Sequence, residues 1–145
     1  TGRKWEMKEF LEYLNGVDEE VLIQLIKYMT IAMVFIVFDI VTGLTAAIVT
    51  GTYKSKVMRE GGRHKLTLLL AIVFGVLLDV AQAVVNIGIS IPATLLICLY
   101  IIVMEIGSCK ENITKAYSKA LPKSVSDAID DAVNNMEGGP RDEND

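Results

Sequence analysis

The stretch LTLLLAIVFGVLLDVAQAVVNIGISIPATLLICLYIIVM, residues 66–104, runs for 39 residues with one charged side chain, Asp79. As a single straight helix it would reach about 58 Å, nearly twice the roughly 30 Å of a bilayer's hydrocarbon core. It must therefore turn back on itself. Asn86, Gly88, Ser90 and Pro92 stand near its middle, and each weakens or ends a helix: by backbone freedom, by side-chain competition for backbone groups, or by a missing N–H. The expected outcome is two spans, 66–86 and 90–107, joined by a tight hairpin.

Upstream, residues 28–53 carry no charge except Asp39, and this second apolar block, 26 residues long, crosses once. It begins too far into the chain and runs too long for a secretory signal peptide. The whole chain of 145 residues is 52% apolar, with a mean hydropathy of +0.42. A soluble globular enzyme does not distribute its charges this way. The fold class expected is all-α: an integral membrane protein of about three transmembrane helices, 28–52, 66–86 and 90–107, with amphipathic helices on either side.

Residues 1–27 form the N-terminal amphipathic segment, in which Met7, Phe10, Leu11 and Leu14 share a helical face. Asn15-Gly16 stops that helix and Asp18 caps the next, with Val17 and Leu22 spaced as a hydrophobic staple. Residues 108–136 read as cytoplasmic helices: a basic stretch, a break at Leu121-Pro122, and then Val125, Ile129, Ala132, Val133 and Met136 on one face. The polar end, 137–145, cannot bury a core and is expected to be disordered.

Between the first two spans, Lys54, Lys56, Arg59, Arg63 and Lys65 face a single acid, Glu60, in what reads as a loop turning at Gly61-Gly62. Lys110 and Lys115 open the basic stretch after the third span. By the positive-inside rule both regions lie in the cytoplasm at the membrane surface, so the N-terminus is outside and the C-terminus inside. The net charge of −4 decides little, and no nucleic-acid footprint is present. Cys98 and Cys109 lie eleven positions apart on what should be one helix, so they cannot bridge each other.

Three acids stand in or beside the apolar helices: Asp39, Asp79 and Glu105. A carboxylate at mid-bilayer costs about 2.5–3.5 kcal/mol on insertion scales, so such groups turn toward helix contacts or water. Asp39, Gly43, Ala47 and Gly51 recur every four residues, as do Ala71, Gly75, Asp79 and Ala83, and such small-residue stripes let helices approach closely in lipid. With Glu105, which shares a face with Ser108 and Asn112, they form the expected oligomer or pore face. Two readings stay open: hydrogen-bonding glue between helices, or the lining of a water path. The only histidine, His64, lies among basic neighbours, and no nucleophile elbow, phosphate loop or metal-ligand spacing occurs. No catalytic role, cofactor or metal is expected.

The sequence resembles the bacteriophage holins of the toxin-secretion and phage-lysis type, which include the clostridial toxin-secretion holins. The resemblance rests on FDIVTGLTAAI (38–48), the basic segment with Ser55, Gly61-Gly62 and Arg63-His64-Lys65, the apolar run closing in LLD (77–79), YIIVMEIGSCKEN (100–112) and ALPKSV (120–125). It covers about residues 35–130. What it implies is a protein of the bacterial cytoplasmic membrane that forms homo-oligomers and opens lesions, releasing an endolysin or a signal-less toxin as cargo, with an antiholin as a further partner. An antiholin or other non-permeabilising membrane anchor, and a small selective channel, are the alternatives.

Overall fold

A computed structural model of the chain describes residues 19–85, 88 and 90–138. The amphipathic pattern in residues 3–15, the cap at Asp18 and the tail beyond 138 lie outside the described residues. The described residues form four helices, α1 (Glu19–Val49), α2 (Ser55–Val84), α3 (Ala93–Ala116) and α4 (Lys123–Glu137), and no strand occurs among them. The first three contain segments long and apolar enough to cross a membrane, Leu22–Val49, Arg59–Val84 and Ala93–Ala116.

α3 is the central element, packing against α1 most extensively and against α2 and α4 as well. Where the three long helices meet, Ala32 and Ile36 of α1, Ile72 of α2, and Cys98 and Ile101 of α3 form a buried cluster. Small residues set how closely the helices approach. A Cβ on Gly75 would come within 3.0 Å of the Thr94 Cα, so α2 meets the backbone of α3 there. A Cβ on Gly107 would come within 2.8 Å of Val133, which seats α4. Large apolar side chains such as Val34, Val37, Leu70, Phe74 and Leu77 point outward, an arrangement that lipid solvates and water does not. The exposed hydroxyls of Thr30, Thr45 and Thr67 donate to carbonyls of their own helices, so these three present lipid no unpaired donor.

α1 ends in a Schellman arrangement: the Thr52 N–H donates to the Ala47 carbonyl and the Gly51 N–H to that of Ile48, with Gly51 at φ +67°. A side chain would strain that conformation. Gly51, which sequence spacing assigns to a packing stripe, serves here to stop the helix.

The basic segment expected as a loop is helical from Ser55 onward, and Gly61 and Gly62 lie inside α2 rather than in a turn. Two glycines cost a helix about 1 kcal/mol each relative to alanine. The eleven residues added before Leu66 remain helical because they propagate from a long apolar helix already nucleated.

Candidate functional site

Asp39 of α1, Lys65 of α2 and Glu105 of α3 converge on one point. The Lys65 ammonium lies 2.7 Å from Asp39 Oδ2 and also pairs with Glu105 Oε2. These side chains are 12%, 10% and 3% exposed, respectively, so the cluster is shut between the three helices. Asn112 extends it: its Nδ2 donates to Asp39 Oδ1 at 3.0 Å and to the Thr42 hydroxyl at 3.4 Å. The Thr42 hydroxyl in turn donates to the Asp39 carbonyl.

With both acids ionised the cluster carries one negative charge, and with one proton held it is neutral. Its position limits what this costs. The uncharged run of α2 from Leu66 to Leu78 lies on one side of Lys65 and the basic residues Lys56, Arg59 and Arg63 on the other, so the cluster stands where the polar part of α2 gives way to its apolar part.

Asp79 belongs to a different site. Its Oδ1 accepts from the Ala93 N–H at 2.7 Å and its Oδ2 from the Thr94 N–H at 2.9 Å, so a residue of α2 satisfies the first free amides of α3. Gln82 completes the joint, accepting from the Ile91 N–H and donating to the Ile91 carbonyl and to Asp79. The two sites stand at opposite ends of the bundle, fourteen residues apart along α2.

Two residues of the stripes read from sequence face other helices of the same chain. Gly43 faces Asn112, and Gly75 faces Thr94 and Ile97. A four-residue period drifts by roughly 40° per step on a 3.6-residue helix. Along α1 the buried line accordingly follows Ala32, Ile36, Asp39, Thr42 and Ala46. Ala47 falls beside that line, bordering a crevice with Thr50, Lys54, Asn112 and Lys115. On α2, Ala71 is half-buried, while Ala83 is exposed next to the hairpin.

The basic residues divide in two. Lys54, Lys56, Arg59 and Arg63 are exposed, and Lys115 lies 4.0 Å from Glu111 on the surface. Lys65 is committed to the buried cluster and Lys110 to Asp130 of α4, at 2.5 and 2.6 Å. Thr42 and Gln82 carry no signal in the sequence that sets them apart. Lys65 carries a weak one: it is the cation that ends the apolar run of α2, at a depth where two lone acids need a partner.

A family model described as the bacteriophage holin family matches residues 16–134. No curated protein and no solved structure matches the chain.

Proposed function

Because the chain belongs to the bacteriophage holin family and is a multi-pass membrane protein with three apolar helices, we propose that it oligomerises in the bacterial cytoplasmic membrane and opens lesions there. The cargo released is an endolysin or a toxin that has no signal peptide of its own. The observation that favours this reading is the Asp39–Lys65–Glu105 cluster, enclosed by helices whose outer surfaces are apolar. Closed, the chain offers lipid an apolar surface and can accumulate without harm. If the helices part, the same three side chains become a polar lining for water, which would make Asp39, Lys65 and Glu105 the residues of the open state.

The orientation proposed has the N-terminus outside and the C-terminus inside. It is supported by the exposed Lys54, Lys56, Arg59 and Arg63 on one flank of the apolar core and by Lys115, Lys119 and Lys123 near α4. Single cysteines at Ser55 and Ser118, both exposed, in a chain lacking Cys98 and Cys109, should resist impermeant thiol reagents applied to intact cells. Labelling at position 55 from outside reverses the orientation.

Inducible expression with a signal-less endolysin tests the function. Abrupt loss of membrane potential followed by endolysin-dependent lysis is the expected result. Continued growth at high levels of the protein in the membrane would exclude it, and a fixed single-channel conductance without passage of folded protein would indicate a selective channel.

A further inference from the structure

The four helices leave two faces of opposite charge on different sides of the molecule. On α2, Lys56, Arg59 and Arg63 are exposed and have no ion-pair partner among the described residues. At 100° per residue they project roughly opposite to the inward-facing Lys65. On α4, Asp127 and Asp131 are likewise exposed and unpaired among the described residues. They point away from Val133, which meets Gly107 of α3.

The two faces are separated around α3. Its residues against α2, Thr94 and Ile97, and those against α4, Gly107 and Lys110, lie roughly 140° apart around the helix axis. The faces also match in depth. α2 runs antiparallel to α3, since Lys65 meets Glu105 and Asp79 meets Ala93. Taking the Lys65–Glu105 contact as the reference level, a rise of 1.5 Å per residue puts Arg63 about 3 Å and Arg59 about 9 Å beyond it. α4 runs back along α3, since Lys110 meets Asp130 and Gly107 meets Val133. By the same count, Asp131 lies about 6 Å and Asp127 about 12 Å beyond that level. Acids and bases therefore interleave at a common depth.

We propose that the outer face of α4 docks the basic half of α2 of a second copy of this chain, with Asp127 and Asp131 against Lys56, Arg59 and Arg63. The interface is heterologous, because each copy gives one face and takes the other, and repetition produces a ring or an open row in the plane of the membrane. The occupant is another copy rather than an anionic lipid headgroup because the acidic face, which headgroups would repel, is matched in depth and sign by a face of the chain itself. The interface rests on the oligomer proposed above and assigns its contacts.

The test uses the full chain in native membranes and reads crosslinking between copies separately from lysis. Asp127→Lys with Asp131→Lys, and Arg59→Glu with Arg63→Glu, should each lower the crosslinked fraction about tenfold, the change that about 1.4 kcal/mol produces. Co-expression of the two double variants should restore it, because each carries the face the other lacks and neither can pair with itself. A copy with Glu60→Cys and a copy with Asp131→Cys, which lie within about 2 Å of each other in depth by the same count, should form a mixed disulfide dimer when the membranes are treated with an oxidant. Oligomers unchanged by either reversal, or a basic-face variant that fails while the acidic-face variant assembles normally, overturn the interface and leave oligomerisation standing. A wild-type chain that gives no crosslinks overturns both.

Discussion

Asn112 of α3 donates its amide to Asp39 of α1 at 3.0 Å, across 73 positions of sequence. The bond occupies the Asp39 oxygen that Lys65 leaves free, so both oxygens of this carboxylate have partners and α1 is held by α2 and α3 at one residue. A buried carboxylate is tolerable on those terms and costly on any other.

Lys65→Met should therefore do more damage than loss of one ion pair. It leaves Asp39 and Glu105 without a cation between them, at a cost of about 3–5 kcal/mol for breaking a buried pair from one side. The expected outcome is a lower melting temperature in detergent and earlier lysis after induction. Adding Asp39→Asn and Glu105→Gln should recover most of the loss. A Lys65→Met variant as stable as the parent would mean the cluster does not hold the closed bundle.

Glycines in α2 should separate by what surrounds them. Gly75→Ala places a methyl group 3.0 Å from Thr94 Cα and Ile97 Cδ1, and such overpacking costs about 1–3 kcal/mol. Gly61→Ala meets nothing within 4 Å and removes a helix-weakening residue, a gain of about 0.5–1 kcal/mol. Thermal unfolding of the two variants in one detergent should show shifts of opposite sign.

Gly43 has room for a methyl group and no more. A Cβ there touches the Asn112 amide at 3.4 Å, so Gly43→Ala should be tolerated. Gly43→Leu should push Asn112 off Asp39 and loosen α1 from α3 within a single chain. Proteolysis of the detergent-solubilised monomer, faster in Gly43→Leu than in Gly43→Ala, would register that effect before any assembly is measured.

At the other end, Asp79→Ala removes both acceptors from the start of α3 and should cost about 0.5–2 kcal/mol, the range for losing a helix cap. Asp79→Asn keeps one acceptor and should cost less. Hydrogen exchange at the Ala93 and Thr94 amides should quicken in the alanine variant; unchanged protection would assign the capping elsewhere.

The three apolar helices and the hairpin between the second and third were legible because both follow from length and from where Asn86, Gly88 and Pro92 interrupt an apolar run. The helical state of residues 55–65 was not legible. Gly61-Gly62 amid charges looks like a turn, and only continuity with the apolar helix behind it makes those residues helical. The three acids looked equivalent because each stands alone in its own segment. What separates them is tertiary: Asp39 and Glu105 reach the same lysine, whereas Asp79 reaches the amides fourteen and fifteen residues further on. The small-residue stripes include one close backbone approach, at Gly75, and one side-chain contact, at Gly43. Spacing alone carried no information on whether the neighbour is the same chain or another.

The joint made by Asp79 bears on how the protein enters the membrane. In the orientation proposed above, the connection between α2 and α3 must pass through the hydrocarbon to reach the outer side, and Asp79, the one charge of α2 beyond Lys65, follows close behind it. With that carboxylate already bound to the Ala93 and Thr94 amides, the anion and two unpaired donors would cross as one compensated unit, not as three separate burdens. α2 and α3 would then translocate together as a preassembled hairpin, leaving α1 to dock afterwards through Asp39.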